Sequence, residues 1–168
     1  MYLETDVATQ TGTFALVRSI AAAVEVPVIA AGGIADGRAI AAALTLGASA
    51  VQIGTAYLLC PESMASALHK ATLADEGRET AITDVLTGRP ARGVVNRFMR
   101  EQGPLDAAAP AFPRARPAIA PLRAKAEAAG STDFSPLWSG QAARLPRGIG
   151  AGELTRKLAQ DALKCLTS

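Results

Sequence analysis

Two short apolar runs near the start of the chain flank a segment with helical spacing. Residues 27–31 form an apolar run closed by Gly32 and Gly33, a pattern typical of a strand buried on both faces of a parallel sheet. Residues 37–46 carry apolar side chains at helical intervals, with Asp36 as the candidate N-cap and Gly47 as the stop signal. A second apolar run covers 50–53. Two strands joined by one helix predict a βαβ unit with adjacent parallel strands.

Helical spacing of apolar residues recurs in several segments before and after this unit. Residues 103–121 include five prolines, which predicts an irregular connecting segment because proline is excluded from helix interiors. Ser63 is the candidate cap of one helix, and His69 and Lys70 are expected on its solvent side. The remaining predicted elements are a loop over 1–11, helices over 14–24, 63–74, 122–129 and 153–166, and a short strand over 80–86.

The glycine-bearing ends of the two strands predict an anion site. Adjacent parallel strands bring their carboxyl ends to one edge of the sheet, where α/β folds place ligands. Gly32 and Gly33 leave their backbone N–H groups open to close approach, and the helix starting near Asp36 adds free N–H groups and partial positive charge. Gly54 and the hydroxyl of Thr55 face the same space. A bound phosphate is therefore expected; a plain turn and relief of packing are the alternative explanations of these glycines.

Composition and charge narrow the classes of function. The 168 residues are 49% hydrophobic and 19% charged, which is typical of a globular chain. No apolar run reaches the length of a transmembrane helix, and the N-terminus lacks the pattern of a secretory signal. Cys60 and Cys165 lack metal-ligand spacing and suggest no disulfide framework, which fits a cytoplasmic protein without a metal site. A net charge of +2 is too weak to indicate nucleic-acid or membrane partners.

Residues 27–63, PVIAAGGIADGRAIAAALTLGASAVQIGTAYLLCPES, resemble the last two barrel strands of the nitronate monooxygenases, formerly called 2-nitropropane dioxygenases. TGTFALVRSIAAAVEVPV, TDVLTGRPARGVVNRF and LWSGQ resemble flanking segments of the same family, so the resemblance runs from about Gly12 to about Leu158. Endings of GG and then GT also occur in other FMN-binding barrels, such as inosine monophosphate dehydrogenase-like proteins and flavin-dependent enoyl reductases. GRPARGVVNRF and LWSGQ narrow the family resemblance to the nitronate monooxygenases and the related enoyl reductases.

The resemblance implies an α/β fold that is the C-terminal portion of an FMN-binding TIM (β/α)8 barrel. Its last two parallel strands, with the phosphate-binding loops, are expected in 1–60, and a mainly helical, loop-rich segment packing on the barrel in 61–168. A complete barrel needs about 250 residues, yet only 26 precede Pro27. The chain is therefore interpreted as the C-terminal half of a larger enzyme; a smaller fold built on the βαβ unit is the alternative.

The resemblance also implies an oxidoreductase that uses FMN and O2 to denitrify alkyl nitronates oxidatively. Trp138 and Gln141, in LWSGQ, are further candidates for the flavin site, with Trp138 as a core anchor being the alternative. The family's candidate base is a histidine in a Gly-Gly-His segment, which this sequence does not contain, so no catalytic residue is assigned. The residues expected to bind FMN are Gly32, Gly33, Gln52, Ile53, Gly54 and Thr55.

Several alternatives remain open at this stage. The same architecture serves flavin-dependent enoyl reduction with a nicotinamide donor, and a sugar-phosphate barrel without flavin would share the phosphate site. A non-catalytic fragment, or half of a split enzyme completed by another chain, also fits the length, and a homodimer is considered. Tyr57 is either a half-buried aromatic or a neighbour of the flavin. A structural role is favoured over substrate contact for a basic cluster made of Arg89, Arg92, Arg97 and Arg100.

Overall fold

Two short sheets organise the chain in the computed structural model, which describes residues 6–142 and 147–167. The parallel unit comprises residues 10–64, 141–142 and 147–167, and the antiparallel unit comprises residues 6–9 and 65–140. The helices are α1 (Thr13–Ala23), α2 (Gly37–Thr45), α3 (Ala67–Ala74), α4 (Arg97–Gln102), α5 (Ala115–Ala128) and α6 (Ala151–Thr167). The strands are β1 (Ile29–Ala31), β2 (Ala50–Gln52), β3 (Thr80–Thr83) and β4 (Ala91–Val94), and short 3-10 turns cover Val7–Thr9 and Thr55–Leu59.

The predicted βαβ unit is confirmed. β1 and β2 pair in parallel, with Ile29 opposite Ala50, and α2 connects them. The Asp36 carboxylate caps α2 by accepting a hydrogen bond of 2.8 Å from the backbone N–H of Ala39. Gly47, just past the end of α2, has a φ of 103°, which favours glycine and ends the helix.

The expectation that β1 is buried on both faces is wrong for this chain. Ala30 is 2% exposed, whereas Ile29 is 62% exposed and Ala31 is also exposed. The alternation arises because α1 and α2 pack on the sheet, while the side chains of Ile29 and Ala31 point to the opposite face. The described residues therefore cover one face of β1 and leave the other exposed.

The closing helix α6 confirms the amphipathic pattern predicted for 153–166 and belongs to the parallel unit. Its buried face consists of Leu154, Leu158 and Ala162, and it packs on α2. The two helices approach very closely where α2 begins, since a Cβ built on Gly37 would lie 2.5 Å from the carbonyl carbon of Asp161. The division of the chain after residue 60 stays a prediction.

The antiparallel unit is built around β3 and β4, which pair with Thr80 opposite Val94. The strand predicted over 80–86 is confirmed but ends at Thr83, and β4 was not predicted. A core of Val85, Leu86, Met99 and Ile119 lies against these strands. In the described ranges, no helix has the length and apolar character needed to span a bilayer.

Asn96 holds two parts of the antiparallel unit together. Its Oδ1 caps α4 by accepting a hydrogen bond of 3.0 Å from the N–H of Met99, and its Nδ2 donates a hydrogen bond of 3.0 Å to the carbonyl of Ser135. The side chain of Asn96 is buried, so both bonds are shielded from water. The GVVNRF segment of the family pattern therefore has a structural explanation in this unit.

Two helix boundaries differ from the prediction. α3 begins at Ala67 and not at 63, because Ser66, and not Ser63, caps it by accepting a hydrogen bond from the N–H of His69. Met64 lies before the helix and is fully exposed.

The prediction that 103–121 is irregular throughout is wrong from Ala115 onward, where α5 begins. Pro117 is the third residue of α5, where the backbone nitrogen has no partner within the helix, so its missing N–H costs nothing. Pro121 lies inside the helix and removes one hydrogen bond, while burial of Ala115 and Ile119 anchors the first turns. Tertiary packing therefore overrides the signal of the prolines.

Candidate functional site

Gly32 and Gly33 lie directly after β1, at the carboxyl end of the strand. Their φ angles of 103° and 74° place both in the region that L side chains rarely adopt, so the backbone itself requires glycine here. A Cβ built on Gly33 would meet no atom within 4 Å, and one on Gly32 would lie 3.3 Å from Oγ1 of Thr13. Both glycines are exposed, and their position next to open space fits the approach of a ligand.

Gly54 lies two residues after the end of β2, and the chain itself does not require glycine at this position. Its φ of −106° is available to any L residue, and a Cβ there would meet no atom within 4 Å. Neither a turn nor close packing therefore accounts for this glycine. The alternative that Gly54 relieves packing is not supported. Open space for a close approach to the backbone is the remaining physical explanation.

The parallel register brings the two glycine ends to the same edge of the sheet. Ala31 pairs with Gln52, and the glycines of both strands follow within two residues of this pair. The side chain of Gln52 is exposed and Ile53 is half-buried, whereas Thr55 begins the following 3-10 turn. The six residues expected at the cofactor site are therefore neighbours at one sheet edge.

The start of α2 adds fewer free N–H groups than expected. The N–H of Ala39 is already bound by the Asp36 carboxylate, and Gly37 is buried against Asp161 of α6. The glycine ends of the strands are consequently the more open part of the predicted anion site.

The segment after β2 is tied to α6 by two contacts that join distant parts of the sequence. The hydroxyl of Tyr57 lies 2.7 Å from Oγ1 of Thr155. The carboxylate of Glu62 accepts hydrogen bonds of 3.0 and 3.1 Å from the N–H of Ala151, the first residue of α6. A carboxylate at a helix N-terminus satisfies a free N–H group and interacts favourably with the helix dipole. Glu62 was missed because its partner lies 89 residues away and no local signal marks it.

Trp138 has contacts that fit a core anchor of the antiparallel unit. Its backbone forms a bridge with Gly93, and a Cβ on Gly93 would lie 3.3 Å from Cε3 of the indole. Its half-buried ring also packs against the core described above. Gln141 is an exposed residue of the parallel unit. The predicted role of both residues in a flavin pocket stays a prediction.

The expectation that His69 lies on the solvent side of its helix is wrong. The ring is half-buried, and its Nε2 lies 3.1 Å from the backbone carbonyl of Trp138, to which it donates a hydrogen bond. Burial lowers the pKa of His69 below its ordinary value of 6.5, although the bond to the carbonyl opposes this shift. The ring of His69 is therefore tied to the Trp138 backbone.

The structural interpretation of the basic cluster is supported by a partner for each arginine. Arg97 and Arg100 pair with Glu101 and Glu79 at 2.6 and 3.9 Å. The guanidinium of Arg92 donates to the carbonyl of Thr80, and that of Arg89 lies over the ring of Phe112. Arg89, Arg92 and Arg100 therefore connect parts of the antiparallel unit, whereas the pair of Arg97 and Glu101 lies within α4.

Comparison with known proteins identifies relatives along almost the whole chain. The family model for nitronate monooxygenase matches residues 4–161. The nitronate monooxygenase of Pseudomonas aeruginosa is 47% identical over 157 residues, which are 89% of this chain and 43% of that protein. The nitronate monooxygenase of Paraburkholderia phytofirmans is 43% identical over 152 residues, which are 89% of this chain and 42% of that protein.

Solved structures show the same likeness in three dimensions. The nitroalkane oxidase of Streptomyces ansochromogenes superposes with a TM-score of 0.87 and 42% identity, over 96% of this chain and 46% of that one. FabK from Thermotoga maritima superposes with a TM-score of 0.73 and 28% identity, over 94% of this chain and 51% of that one. These likenesses confirm the predicted fold, the end of a TIM barrel with its last two parallel strands and a helical segment.

The chain thus spans less than half the length of these two nitronate monooxygenases. Within that span, the family model covers nearly every residue, including the glycine ends of both strands and the LWSGQ segment. The chain belongs to the nitronate monooxygenase family.

Proposed function

We propose that this chain carries the phosphate-binding end of an FMN-dependent oxidoreductase that oxidises alkyl nitronates with O2. The observation that carries the proposal is Gly54, a glycine that neither its φ nor its packing explains and that faces open space beside the glycine end of β1. A phosphate close to the backbone accounts for Gly54, and the open space beside Gly33 suits the same ligand. FMN is the favoured flavin because the chain belongs to the nitronate monooxygenase family, and the resemblance to that family implies FMN.

The residues present fit the phosphate of FMN. The backbone N–H groups around Gly32, Gly33 and Gly54 would bind the phosphate oxygens, with Thr55 and the exposed amide of Gln52 beside them. Bound FMN would supply the redox chemistry, since no amino-acid side chain exchanges electrons with O2 in this way. The contribution of this chain is to hold and orient the cofactor at the end of the barrel.

No described residue is assigned the removal of a proton from the substrate. The single histidine of the sequence, His69, donates its Nε2–H to the Trp138 carbonyl and has a lowered pKa because it is buried. The family resemblance implies a histidine in a Gly-Gly-His segment, which does not occur in this sequence. The catalytic base is therefore expected to come from a segment outside this chain.

The direct test compares FMN with riboflavin, which lacks the phosphate. Flavin fluorescence is titrated with the full chain, and we expect FMN to bind at least about ten-fold more tightly, a difference of about 1.4 kcal/mol. Equal affinities for the two flavins would contradict a phosphate site at the glycine ends. Absence of any flavin binding, even when the remaining barrel segments are supplied, would contradict the proposal as a whole.

A flavin-dependent enoyl reductase is the second candidate, because its glycine endings resemble those of this chain. The superposition on nitroalkane oxidase, with its higher identity and TM-score, favours the nitronate reaction over it. The two are separated by supplying the remaining barrel segments to the flavin-loaded chain and assaying it with an alkyl nitronate and O2, and then with an enoyl thioester and a nicotinamide donor. Turnover of the enoyl substrate alone would replace the first proposal.

A further inference from the structure

A cavity of about 320 Å³ lies in the parallel unit, between the start of α2 and the last turns of α6. Its volume is at the lower end of the range for small-molecule pockets. Four charged residues, a glycine and a cysteine form its walls, and these are Asp36, Gly37, Arg38, Asp161, Lys164 and Cys165. These six residues define the α2–α6 cavity.

The walls of the α2–α6 cavity are carried by two helices in direct backbone contact. A Cβ built on Gly37 would lie 2.5 Å from the carbonyl carbon of Asp161 and 2.7 Å from the backbone nitrogen of Ala162. Gly37, Ile40 and Ala162 are buried at this contact. Side chains on packed helices are held more precisely than side chains on loops, so the cavity has a defined shape.

The two carboxylates of the α2–α6 cavity already have partners within the parallel unit. Oδ1 of Asp36 accepts a hydrogen bond of 2.8 Å from the N–H of Ala39. Oδ2 of Asp161 accepts a hydrogen bond of 2.8 Å from Nζ of Lys157. The negative charge of each carboxylate is therefore partly offset before a ligand binds.

Two cations of the α2–α6 cavity can turn towards a ligand. Arg38, in the first turn of α2, has no ion pair with any residue in the described part of the chain. Nζ of Lys164 lies 3.7 Å from Asp161, beyond the range of a good hydrogen bond, and its side chain is 77% exposed. A guanidinium presents a planar fork that matches carboxylate and phosphate oxygens, and an ammonium adds a point charge.

The α2–α6 cavity differs from the predicted flavin site in the residues that form it. None of the six residues expected to bind FMN lines this cavity. The family match ends at residue 161, so Lys164 and Cys165 lie outside it. The family resemblance therefore does not explain why these charged residues meet here.

We propose that the α2–α6 cavity binds a small organic anion through Arg38 and Lys164. Arg38 donates hydrogen bonds to the carboxylate or phosphate oxygens of the anion, and Lys164 supplies a second positive charge from the last turn of α6. The bound anion connects the start of α2 with the end of α6. This site is separate from the flavin site, and the inference does not depend on the proposed function.

Cys165 provides a local measure of whether the cavity is occupied. It lines the cavity and is exposed, whereas Cys60, the only other cysteine, is buried. The full chain is treated with iodoacetamide, a neutral reagent, and the alkylation of each cysteine is followed by peptide mass spectrometry. Malonate and glycerol 3-phosphate are the probes, and sodium chloride at equal ionic strength controls for screening. A probe should slow the alkylation of Cys165 at least about three-fold at saturation.

Substitutions that remove one charge identify the residues that hold the anion. Arg38→Gln and Lys164→Gln should each raise the probe concentration needed for half protection at least about ten-fold. Arg18→Gln is the matched control, because it removes an exposed arginine from α1 of the same unit and should leave the protection unchanged. Equal protection by chloride, no protection by either probe, or full protection after Arg38→Gln would overturn the inference.

The two probes distinguish the possible sources of the anionic group. Protection by malonate alone would assign the site to carboxylates, and protection by glycerol 3-phosphate alone would assign it to phosphate esters.

Titration of FMN in the same variants separates this inference from the proposed function. Arg38→Gln should leave the affinity for FMN unchanged; a parallel loss of FMN affinity would make the cavity part of the flavin site and overturn the inference. Protection of Cys165 in a chain that binds no FMN would retain the anion site and reject the phosphate site at the glycine ends.

Discussion

Adding one methyl group at Gly54 tests whether a ligand approaches the backbone at this residue. Gly54→Ala is compatible with a φ of −106° and meets no neighbouring atom, so the melting temperature should not fall. If a phosphate approaches this backbone, the methyl group should weaken FMN binding about ten-fold or more. The measurement is flavin fluorescence titration, with riboflavin as the control ligand, whose affinity should remain unchanged. An equal loss for both flavins, or none for FMN, would exclude phosphate contact here.

Glu62 acts on the stability of a helix that is remote in sequence. Glu62→Ala removes the acceptor of the Ala151 N–H and should lower the free energy of unfolding by about 1 kcal/mol. Glu62→Gln keeps an acceptor oxygen and should cost less. Glu153→Gln, in the first turn of α6, removes the same charge without removing this contact. Urea denaturation followed by circular dichroism measures all three, and an equal loss for Glu153→Gln would assign the effect to charge alone.

The single histidine predicts a specific dependence of stability on pH. The pKa of His69 is lowered from 6.5 by burial, so the unfolded chain binds this proton more readily than the folded chain does. The free energy of unfolding should therefore be fully retained above about pH 6.5 and should fall as the pH drops below it. Denaturation followed by fluorescence of Trp138, the only tryptophan, measures this between about pH 5.5 and 7.5.

His69→Gln provides the control for this titration. The amide of glutamine can still donate to the Trp138 carbonyl but does not ionise in this range. The slope of stability against pH should therefore flatten while the protein remains folded. An unchanged slope in this variant would show that other groups cause the dependence.

At the scale of elements, the packing of α2 on α6 depends on a glycine. Gly37→Ala places a methyl group 2.5 to 2.7 Å from backbone and Cβ atoms of Asp161 and its neighbour, which no side-chain rotation relieves. The overpacking should lower the free energy of unfolding by about 1 to 3 kcal/mol, despite the better helix propensity of alanine. Gly152→Ala is the matched control in α6, where the nearest atom is the end of Arg156 at 3.7 Å. It should be neutral or stabilising by up to about 1 kcal/mol; equal losses would refute the close contact.

Elements whose signals are local could be predicted from the sequence. The βαβ unit and α6 follow from periodicity, and Asp36 follows from the spacing of an N-cap. β4 escaped prediction because Ala91–Val94 has no alternating pattern and becomes a strand by pairing with β3. The first part of α5 was not predicted because its prolines indicate an irregular segment. The burial of Ala115 and Ile119, which stabilises the helix, is known only from the packed structure.

In the candidate site, too, features with a local sequence signal could be predicted, and contacts between residues far apart in the sequence could not. The glycine ends and their common edge follow from the motif and from parallel pairing. Glu62 and the contact of His69 with Trp138 join residues 89 and 69 positions apart, so that no window of sequence contains them. The structure also separates glycines that the motif treats alike: Gly32 and Gly33 are required by their φ angles, whereas Gly54 is not.

At the scale of the whole molecule, the exposed apolar side chains beside β1 should be detectable with an apolar dye. The isolated chain exposes Ile29 and Val26 together with apolar residues of α1, so it should bind anilinonaphthalene sulfonate more strongly than a closed protein of the same size. A molten globule would bind the dye as well, but it would lose the near-ultraviolet circular dichroism of Trp138, which a native chain retains. Ile29→Lys should reduce the dye fluorescence if the dye binds beside β1, and Leu163→Lys on α6, a residue of nearly equal exposure, is the comparison. Dye binding that is indifferent to Ile29 would show that the apolar surface of this chain lies elsewhere.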